Sequence, residues 1–254
     1  MNTHEYERIF RLEDSYWWFV GRHHLVLTFL KEKFDNRTDL KILDIGCGTG
    51  AMSRKLERFG EVTSADFSPL ALDFCRRREL AHVCQADAMD LPFGDASFDV
   101  IVALDLLEHL PDDEAAMRQF CRVLKPGGYV VATVPAYQSL WSSHDVALMH
   151  YRRYVAREVR DRFVAAGLTI TRLSYAMTLL YPLVWVVRRA SILKNKRSGS
   201  GNVDDPGAAP KASLVAVPPF VNRLLIGLLA LENRLIRRVR LPFGLSVFCL
   251  AQKP

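Results

Sequence analysis

Residues 41–50 read KILDIGCGTG, and the interpretation of the chain starts from this stretch. The apolar residues Ile42, Leu43 and Ile45 fit a short buried strand. Three glycines at alternate positions follow, and residues 51–57 then read as a helix. Glycine has no β-carbon and tolerates positive φ, so a ligand can lie against bare backbone at such a turn. Because the first N–H groups of the helix carry partial positive charge, the sequence predicts a site for the anionic end of a small molecule.

The spacing of the glycines and the acid before them separate two ligand classes. Dinucleotide sites use G-x-G-x-x-G, whereas Gly46, Gly48 and Gly50 are spaced G-x-G-x-G. Asp44 precedes the first glycine, where a carboxylate would crowd a pyrophosphate but can hold the ammonium of an amino-acid group. This motif resembles the first motif of class I S-adenosylmethionine-dependent methyltransferases, and the alternative is a tight turn with no ligand. The resemblance implies that Cys47 and the glycines contact the cofactor.

Two further acids follow predicted strands. Residues 61–68 read as a strand that ends at Asp66, which lies 20 residues after Gly46. Alternating α/β folds place a carboxylate for ribose hydroxyls at about this spacing. Residues 81–88 read as a third strand, in which Asp87 can accept a hydrogen bond from an adenine amino group. The apolar residues expected to line the same ligand are Phe67, Ala88 and Leu104.

Two motifs further along the chain narrow the resemblance. Residues 90–99 read DLPFGDASFD and residues 122–128 read RVLKPGG, and both are similar to the type 11 subgroup of small-molecule methyltransferases. The resemblance implies an α/β fold with a Rossmann-like, seven-stranded mixed sheet, helices on both faces, and a last strand that is antiparallel. We predict the sixth strand at 168–173 and the seventh within 241–251, inserted beside the fifth. Residues 41–173 and 241–254 therefore form the predicted core.

Residues 1–40 are predicted to form an N-terminal helical lid. The segment contains four consecutive aromatic residues at 16–19, followed by Arg22. One interpretation is an amphipathic helix that packs its aromatic side chains on the sheet. The other, which the resemblance favours, is a lid that covers the cofactor, with Arg22 reaching the cofactor carboxylate.

Candidate catalytic residues follow the fifth predicted strand. His144, Asp145 and His150 leave the carboxyl end of the sheet within a short segment, and imidazole titrates near neutral pH. We predict that one of these histidines acts as the base. The alternative is that both histidines are structural.

A second acidic cluster follows the fourth strand. Asp105, Glu108 and His109 form D-x-x-E-H, which resembles the metal-binding E-x-x-E-H of ubiquinone-pathway O-methyltransferases. The alternative is that the Glu-His pair only caps a helix and touches the cofactor. We predict no metal and keep the resemblance as the competing interpretation.

Residues 174–240 exceed what a simple connection needs, and we predict a helical hairpin inserted between strands six and seven. The apolar run 175–187 is too short to span a bilayer, and the segment near 194–213 reads as a flexible loop. Residues 220–240 read as an amphipathic helix with arginines crowded at its end. The hairpin either caps the sheet with solvated arginines or lies in a membrane interface with arginines on anionic headgroups.

Charge and cysteine content indicate the kind of partner and the cellular compartment. The net charge of +6 combines −7 over residues 1–150 with +13 over residues 151–254. A basic half favours an anionic partner, and because its cations lie among leucines we expect a membrane surface and no nucleic acid. Five scattered cysteines argue against a disulfide framework, and a polar, acidic N-terminus argues against a signal peptide. We therefore expect a cytoplasmic protein, peripheral at the inner face of the membrane.

The sequence as a whole predicts methyl transfer from S-adenosylmethionine to a small, lipophilic or lipid-linked acceptor, at oxygen. Two alternatives stay open at this stage. The acceptor is a soluble sugar or a polyketide-type metabolite, or the chain is a non-catalytic, membrane-associated protein that only binds the cofactor.

Overall fold

The computed structural model describes residues 3–35, 37–182, 184–186 and 217–254. The strands are β1 (Leu40–Ile45), β2 (Gly60–Asp66), β3 (His82–Gln85), β4 (Phe98–Leu104), β5 (Leu124–Pro135), β6 (Thr169–Ala176) and β7 (Ser246–Gln252). The helices are α1 (Thr3–Leu12), α2 (Trp17–Lys33), α3 (Ala51–Leu56), α4 (Pro69–Arg77), α5 (Asp113–Val123), α6 (Ser143–Ala147), α7 (Ala156–Ala165) and α8 (Pro219–Ile236).

The strands form a single sheet in the order β3-β2-β1-β4-β5-β7-β6. β1 pairs in parallel with β2 and β4, and the parallel part continues through β3 and β5. β7 alone runs the other way and lies between β5 and β6. The predicted mixed sheet with an antiparallel last strand is therefore confirmed. The strand order reverses between β1 and β4, and in such sheets ligands bind at the carboxyl ends beside this point.

Helices cover both faces of the sheet. Adjacent residues of each strand point to opposite faces, and apolar side chains lie on both faces. On one face, α5 and α7 pack against residues such as Leu43 and Ile101. On the other face, α2 and α3 pack against residues such as Ile42 and Val100. With both faces buried, the central strands can be almost continuously apolar, as the run in β1 shows.

The last two strands differ in extent from the sequence prediction. β6 continues to Ala176, because Tyr175 and Ala176 pair with Val247 and Ser246 of β7. β7 begins at Ser246, later than the predicted start at 241. In the turn before it, Gly244 lies so close to Ala176 that an added β-carbon would be 2.3 Å from the Ala176 carbonyl oxygen. The loop predicted near 194–213 lies outside the described residues.

The second helix of the predicted insertion is present as α8, and it packs against α2. Leu229 of α8 contacts Gly21 of α2, where an added β-carbon would lie only 2.3 Å from a leucine methyl carbon. The Asn222 side chain accepts a hydrogen bond from the Trp17 N–H (2.9 Å), and Asn233 donates to the Gly21 carbonyl (2.9 Å). Within the described part of the chain, no helix combines the length and the apolar character needed to cross a bilayer.

Candidate functional site

The glycine loop after β1 has one open side. Gly46, Gly48 and Gly50 have φ values of +70°, +56° and +85°, which L side chains rarely adopt. An added β-carbon at Gly50 would lie 2.7 Å from Leu80, whereas at Gly48 it would meet no atom within 4 Å. The Gly48 N–H donates to the Asp66 carboxylate at 2.9 Å. The loop therefore presents bare backbone to open space at Gly48, next to the acid that ends β2.

Cys47 turns its side chain away from that open side. Its sulfur lies 3.6 Å from the sulfur of Cys75 on α4, and both thiols are buried. The hydrogen bond with Cys75, together with burial, holds the pKa of the Cys47 thiol well above its ordinary value. The sequence predicts that Cys47 contacts the cofactor. Since its side chain is buried against Cys75, only its backbone is in a position to do so.

The structure brings Asp44 and Asp66 close enough for their charges to interact. Asp66 accepts hydrogen bonds from the N–H groups of Gly48 and Ser68, both at 2.9 Å, and burial raises its pKa. Asp44 is buried, accepts from the Ser53 hydroxyl at 2.6 Å, and has its pKa raised to about 7 by burial, with a smaller contribution from the charge of Asp66. The Arg22 guanidinium opposes this rise in the pKa of Asp44.

The third strand-end acid lies beside the second. Gln85 of β3 pairs with Asp66 of β2, so Asp87 follows two residues beyond that pair. One oxygen of Asp87 accepts from the Met89 N–H at 2.8 Å. Of the predicted lining residues, Phe67 is 70% exposed, Ala88 is buried and Leu104 is half-buried at the end of β4.

Arg22 forms an ion pair with Asp105, which follows β4. The same aspartate accepts from the Thr133 hydroxyl of β5 at 2.9 Å and holds a φ of +49°. Within the described residues, the buried Nε of Arg22 has no hydrogen-bond partner. The sequence predicted that Arg22 reaches a cofactor carboxylate, and the structure places Arg22 at the carboxyl end of β4, where its buried Nε–H has no acceptor among the described residues.

His150 and Asp145 form a hydrogen-bonded pair, with 3.0 Å between Nδ1 and Oδ1. Arg153 clamps the same carboxylate through Nε at 2.6 Å and Nη2 at 3.0 Å, and these partners hold the pKa of Asp145 well below its ordinary value. Because an ionised carboxylate only accepts, His150 must donate through Nδ1, and in the neutral form of the imidazole Nε2 is then the proton acceptor. Of the three predicted catalytic residues, the structure therefore joins His150 and Asp145 directly. The third, His144, lies on α6, one residue before Asp145.

His109, which the sequence analysis placed in the D-x-x-E-H motif as a metal ligand or as part of a helix cap that touches the cofactor, lies against this pair. The rings of His109 and His150 are perpendicular, with centroids 4.6 Å apart. Burial, with the nearby His150, lowers the pKa of His109 to about 4, so this imidazole is neutral at physiological pH. Glu108 is fully buried, and within the described residues neither of its carboxylate oxygens has a hydrogen-bond partner.

The candidate metal ligands in the structure differ from those of the sequence motif. Potential ligand atoms of Glu108, His109 and His150 all lie within 4.8 Å of one another. Asp105, the first residue of the D-x-x-E-H motif, is instead engaged by Arg22 and Thr133. One carboxylate and two imidazoles can hold a divalent cation, but the sequence motif alone does not form the set.

Sequence reasoning missed the contacts that hold α1 and α2 against the glycine loop. Glu13, between these helices, is buried and hydrogen-bonds the Thr49 hydroxyl and Arg78. Arg78 also donates to the Thr49 carbonyl at 2.7 Å and to Asp14 at 2.9 Å. The sequence carries no signal for this network, because Glu13 and Arg78 are 65 residues apart.

Comparison with known proteins gives sequence and structural relatives. Residues 43–132 match a family model described as a methyltransferase domain, type 11. A demethylmenaquinone methyltransferase of Staphylococcus aureus strain MRSA252 is 37% identical in an alignment of 120 positions, and the match covers 42% of this chain and 50% of that relative. The chain thus spans about half the length of the curated relatives that it matches.

Two solved structures resemble the chain over most of its length. Phosphoethanolamine N-methyltransferase 2 of Haemonchus contortus, solved with S-adenosyl-L-methionine, has a TM-score of 0.57 and 20% identity over 90% of this chain and 52% of that chain. The cyclase SpnF has a TM-score of 0.57 and 20% identity over 91% of this chain and 80% of that chain. At these identities the likeness shows the fold alone. Together with the observed sheet it confirms the predicted class I methyltransferase fold, and residues 43–132 of this chain form a type 11 methyltransferase domain.

Proposed function

We propose that this chain transfers a methyl group from S-adenosylmethionine to an oxygen of a small, lipophilic acceptor. The observation that carries the proposal is the His150–Asp145 pair, next to His109, at the carboxyl end of the sheet. Ligands of open α/β sheets bind at this edge, so a base held here would face an acceptor beside the cofactor.

The glycine loop and the strand-end acids fit the proposed cofactor. The open space at Gly48 admits the methionine part, Asp44 holds its ammonium, and the spare Nε–H of Arg22 is available for its carboxylate. Asp66 is held in place by two backbone N–H groups and keeps acceptor capacity for ribose hydroxyls, and Asp87 accepts from the adenine amino group. When bound, S-adenosylmethionine supplies an activated methyl group, so the residues mainly have to align the nucleophile.

His150 is the proposed general base, and Asp145 is a positioning residue. The ionised Asp145 fixes the tautomer in which Nε2 of His150 is free to accept a proton from an acceptor hydroxyl. Arg153 helps to lower the pKa of Asp145, so this carboxylate is too weak a base to take that proton itself. A positioned base of this kind contributes about 10²–10⁴-fold to a rate.

A lipophilic acceptor is proposed on two grounds. The Staphylococcus aureus relative is named for demethylmenaquinone, and the basic C-terminal part of this chain favours an anionic membrane surface, where such molecules reside. All five cysteines are free, which suits a reducing cytoplasm. We therefore propose a cytoplasmic protein, peripheral at the inner face of a membrane.

Incubation with methyl-labelled S-adenosylmethionine tests the reaction. The acceptors are quinone-type phenols and a lipid extract, in parallel with soluble sugars and polyketides, and tandem mass spectrometry locates the labelled atom. We expect label on the oxygen of a lipophilic product. Label on a soluble metabolite or on carbon would contradict the acceptor assignment, and cofactor binding without any transfer would contradict the enzyme.

A matched pair of histidine variants tests the base. His150→Gln should lower kcat by about 10²-fold or more while S-adenosylhomocysteine binding stays unchanged, because the residue acts on the acceptor proton. His82→Gln is the control, since His82 lies on β3 with an exposed side chain. Equal rates for both variants would remove His150 from the mechanism.

A further inference from the structure

The helix α8 turns its acidic and amide side chains toward the protein. Glu232 and Asn233 are only 2% and 3% exposed. Glu232 accepts a hydrogen bond from the Leu179 N–H at 3.1 Å, and Asn233 donates to the carbonyl of Gly21 on α2. Asn222 bonds the backbone at both Trp17 and Ser15. Polar contacts thus fix this helix to the lid helix α2 and leave much of its apolar surface outside.

Opposite that anchored face lies an apolar stripe. Phe220, Leu224, Leu231 and Leu235 are 70%, 67%, 61% and 48% exposed. Spacings of 4, 7 and 4 residues keep them on one side of a helix, and they extend over about 22 Å at 1.5 Å per residue. Leucine is ordinarily buried when it recurs at this spacing, so a stripe of this length indicates a surface that contacts another apolar phase.

The charged residues around the stripe are all cations. Arg223 and Arg234 flank it on the helix, and Arg238 and Arg240 follow the helix end. Within the described residues these four have no ion pair, whereas Arg237 pairs with Glu32 at 2.8 Å. Glu232, the only acid of the helix, faces inward. The outer face therefore combines apolar area with uncompensated positive charge, which suits the headgroup region of an anionic bilayer.

We propose that the outer face of α8 docks on the surface of an anionic lipid bilayer, with the leucine stripe among the acyl chains and the arginines on lipid phosphates. The proposal deepens the proposed function, on which its biological use rests, by naming the surface that meets the membrane. α8 lies directly on α2, and Arg22 of α2 contacts Asp105 at the carboxyl end of β4. Docking would therefore hold α2 one helix away from the bilayer, which is the source of a lipophilic acceptor.

Vesicle flotation of the full chain tests the docking face. The wild-type chain should float with vesicles that contain phosphatidylglycerol and stay at the bottom with phosphatidylcholine alone. Leu231→Glu should lower the bound fraction at least tenfold, because it places an anion in the centre of the stripe. Val164→Glu is the matched control: Val164 is an exposed apolar residue on α7, 54% exposed, and its variant should float like the wild type.

Further variants separate the charge from the stripe and the membrane from other partners. The double variant Arg234→Gln, Arg238→Gln should lose the preference for phosphatidylglycerol. A wild-type chain that ignores both vesicle types, or a Leu231→Glu variant that floats unchanged, would overturn the proposal. So would a wild-type dimer in light scattering that becomes monomeric in Leu231→Glu, since the stripe would then pair two copies. S-adenosylhomocysteine binding, measured alongside, reports on the methyltransferase site independently of flotation.

Discussion

At the scale of single residues, burial sets the ionisation of Asp44, the residue that we propose to hold the cofactor ammonium. Burial raises the pKa of Asp44 to about 7, above the value near 4 of an exposed aspartate. A carboxyl whose folded pKa is raised favours its protonated form in the fold. Its contribution to stability is therefore complete below about pH 4 and is lost as the pH rises through 7. A cationic ammonium beside Asp44 would lower that pKa again.

Cofactor binding should therefore release a proton near pH 7, because Asp44 is partly protonated there before the ammonium approaches it. Calorimetry of S-adenosylhomocysteine binding in two buffers with different ionisation enthalpies measures this release. We expect a fraction of a proton per site at pH 7 and little at pH 9, where the group is already ionised. Asp44→Asn should abolish the release. A buffer-independent enthalpy in the wild type would contradict the assignment of the ammonium to Asp44.

At the scale of one element, two glycines test whether a ligand approaches the backbone of the glycine loop: Gly48 belongs to the loop and Gly127 lies in β5. Gly48 and Gly127 have φ values of +56° and +78°, and an added β-carbon meets no atom within 4 Å at either. Alanine should destabilise the fold by a similar amount at both, about 1–2 kcal/mol, because the left-handed conformation is unfavourable for a side chain. Gly48→Ala should in addition weaken S-adenosylhomocysteine binding at least tenfold, whereas Gly127→Ala should leave it unchanged. Equal affinities would mean that no ligand approaches the backbone at Gly48.

The sequence predicted local units better than contacts between distant segments. Gly46, Gly48 and Asp66 were found because each belongs to a strand–turn–helix unit whose geometry is local, and the observed register then places them together. The extents of β6 and β7 were less predictable, because their limits depend on pairing between segments about seventy residues apart. The pairing of Arg22 with Asp105 was missed for the same reason: nothing in residues 83 positions apart encodes their contact locally.

The histidine site was only half predictable. His150 and Asp145 are five residues apart and were predicted as one cluster, and the structure joins them. His109 was assigned to a different motif, because it reaches the cluster through the fold, from the turn after β4. Strand ends that converge at one sheet edge thus bring together residues that the sequence presents as separate motifs.

At the scale of the whole molecule, the described N-terminal helices are fastened to the core at the edge where the cofactor is proposed to bind. Arg78 is central to this fastening, since it bonds Glu13, Asp14 and the Thr49 carbonyl and lies over the ring of Phe10, 4.5 Å from its centroid. The function of residues 1–40 as a lid stays a prediction. If it is right, the strength of this fastening sets how long a ligand stays in the site.

Arg78→Ala should therefore loosen the attachment of α1 and α2 while the sheet stays folded. The variant leaves Glu13 buried without its cation, and removing one partner of a buried pair costs about 3–5 kcal/mol, here concentrated in the attachment of α1 and α2. We expect faster hydrogen exchange in α1 and α2, with little change in β1 and β4, and faster dissociation of S-adenosylhomocysteine. Arg118→Ala is the control, because Arg118 is exposed and contacts Asp112 and Glu114 only at 3.6 and 4.0 Å, a surface pairing worth about 0–1 kcal/mol. If Arg78→Ala speeds exchange in α1 and α2 but leaves the dissociation rate of S-adenosylhomocysteine unchanged, these helices are a structural support and not a lid.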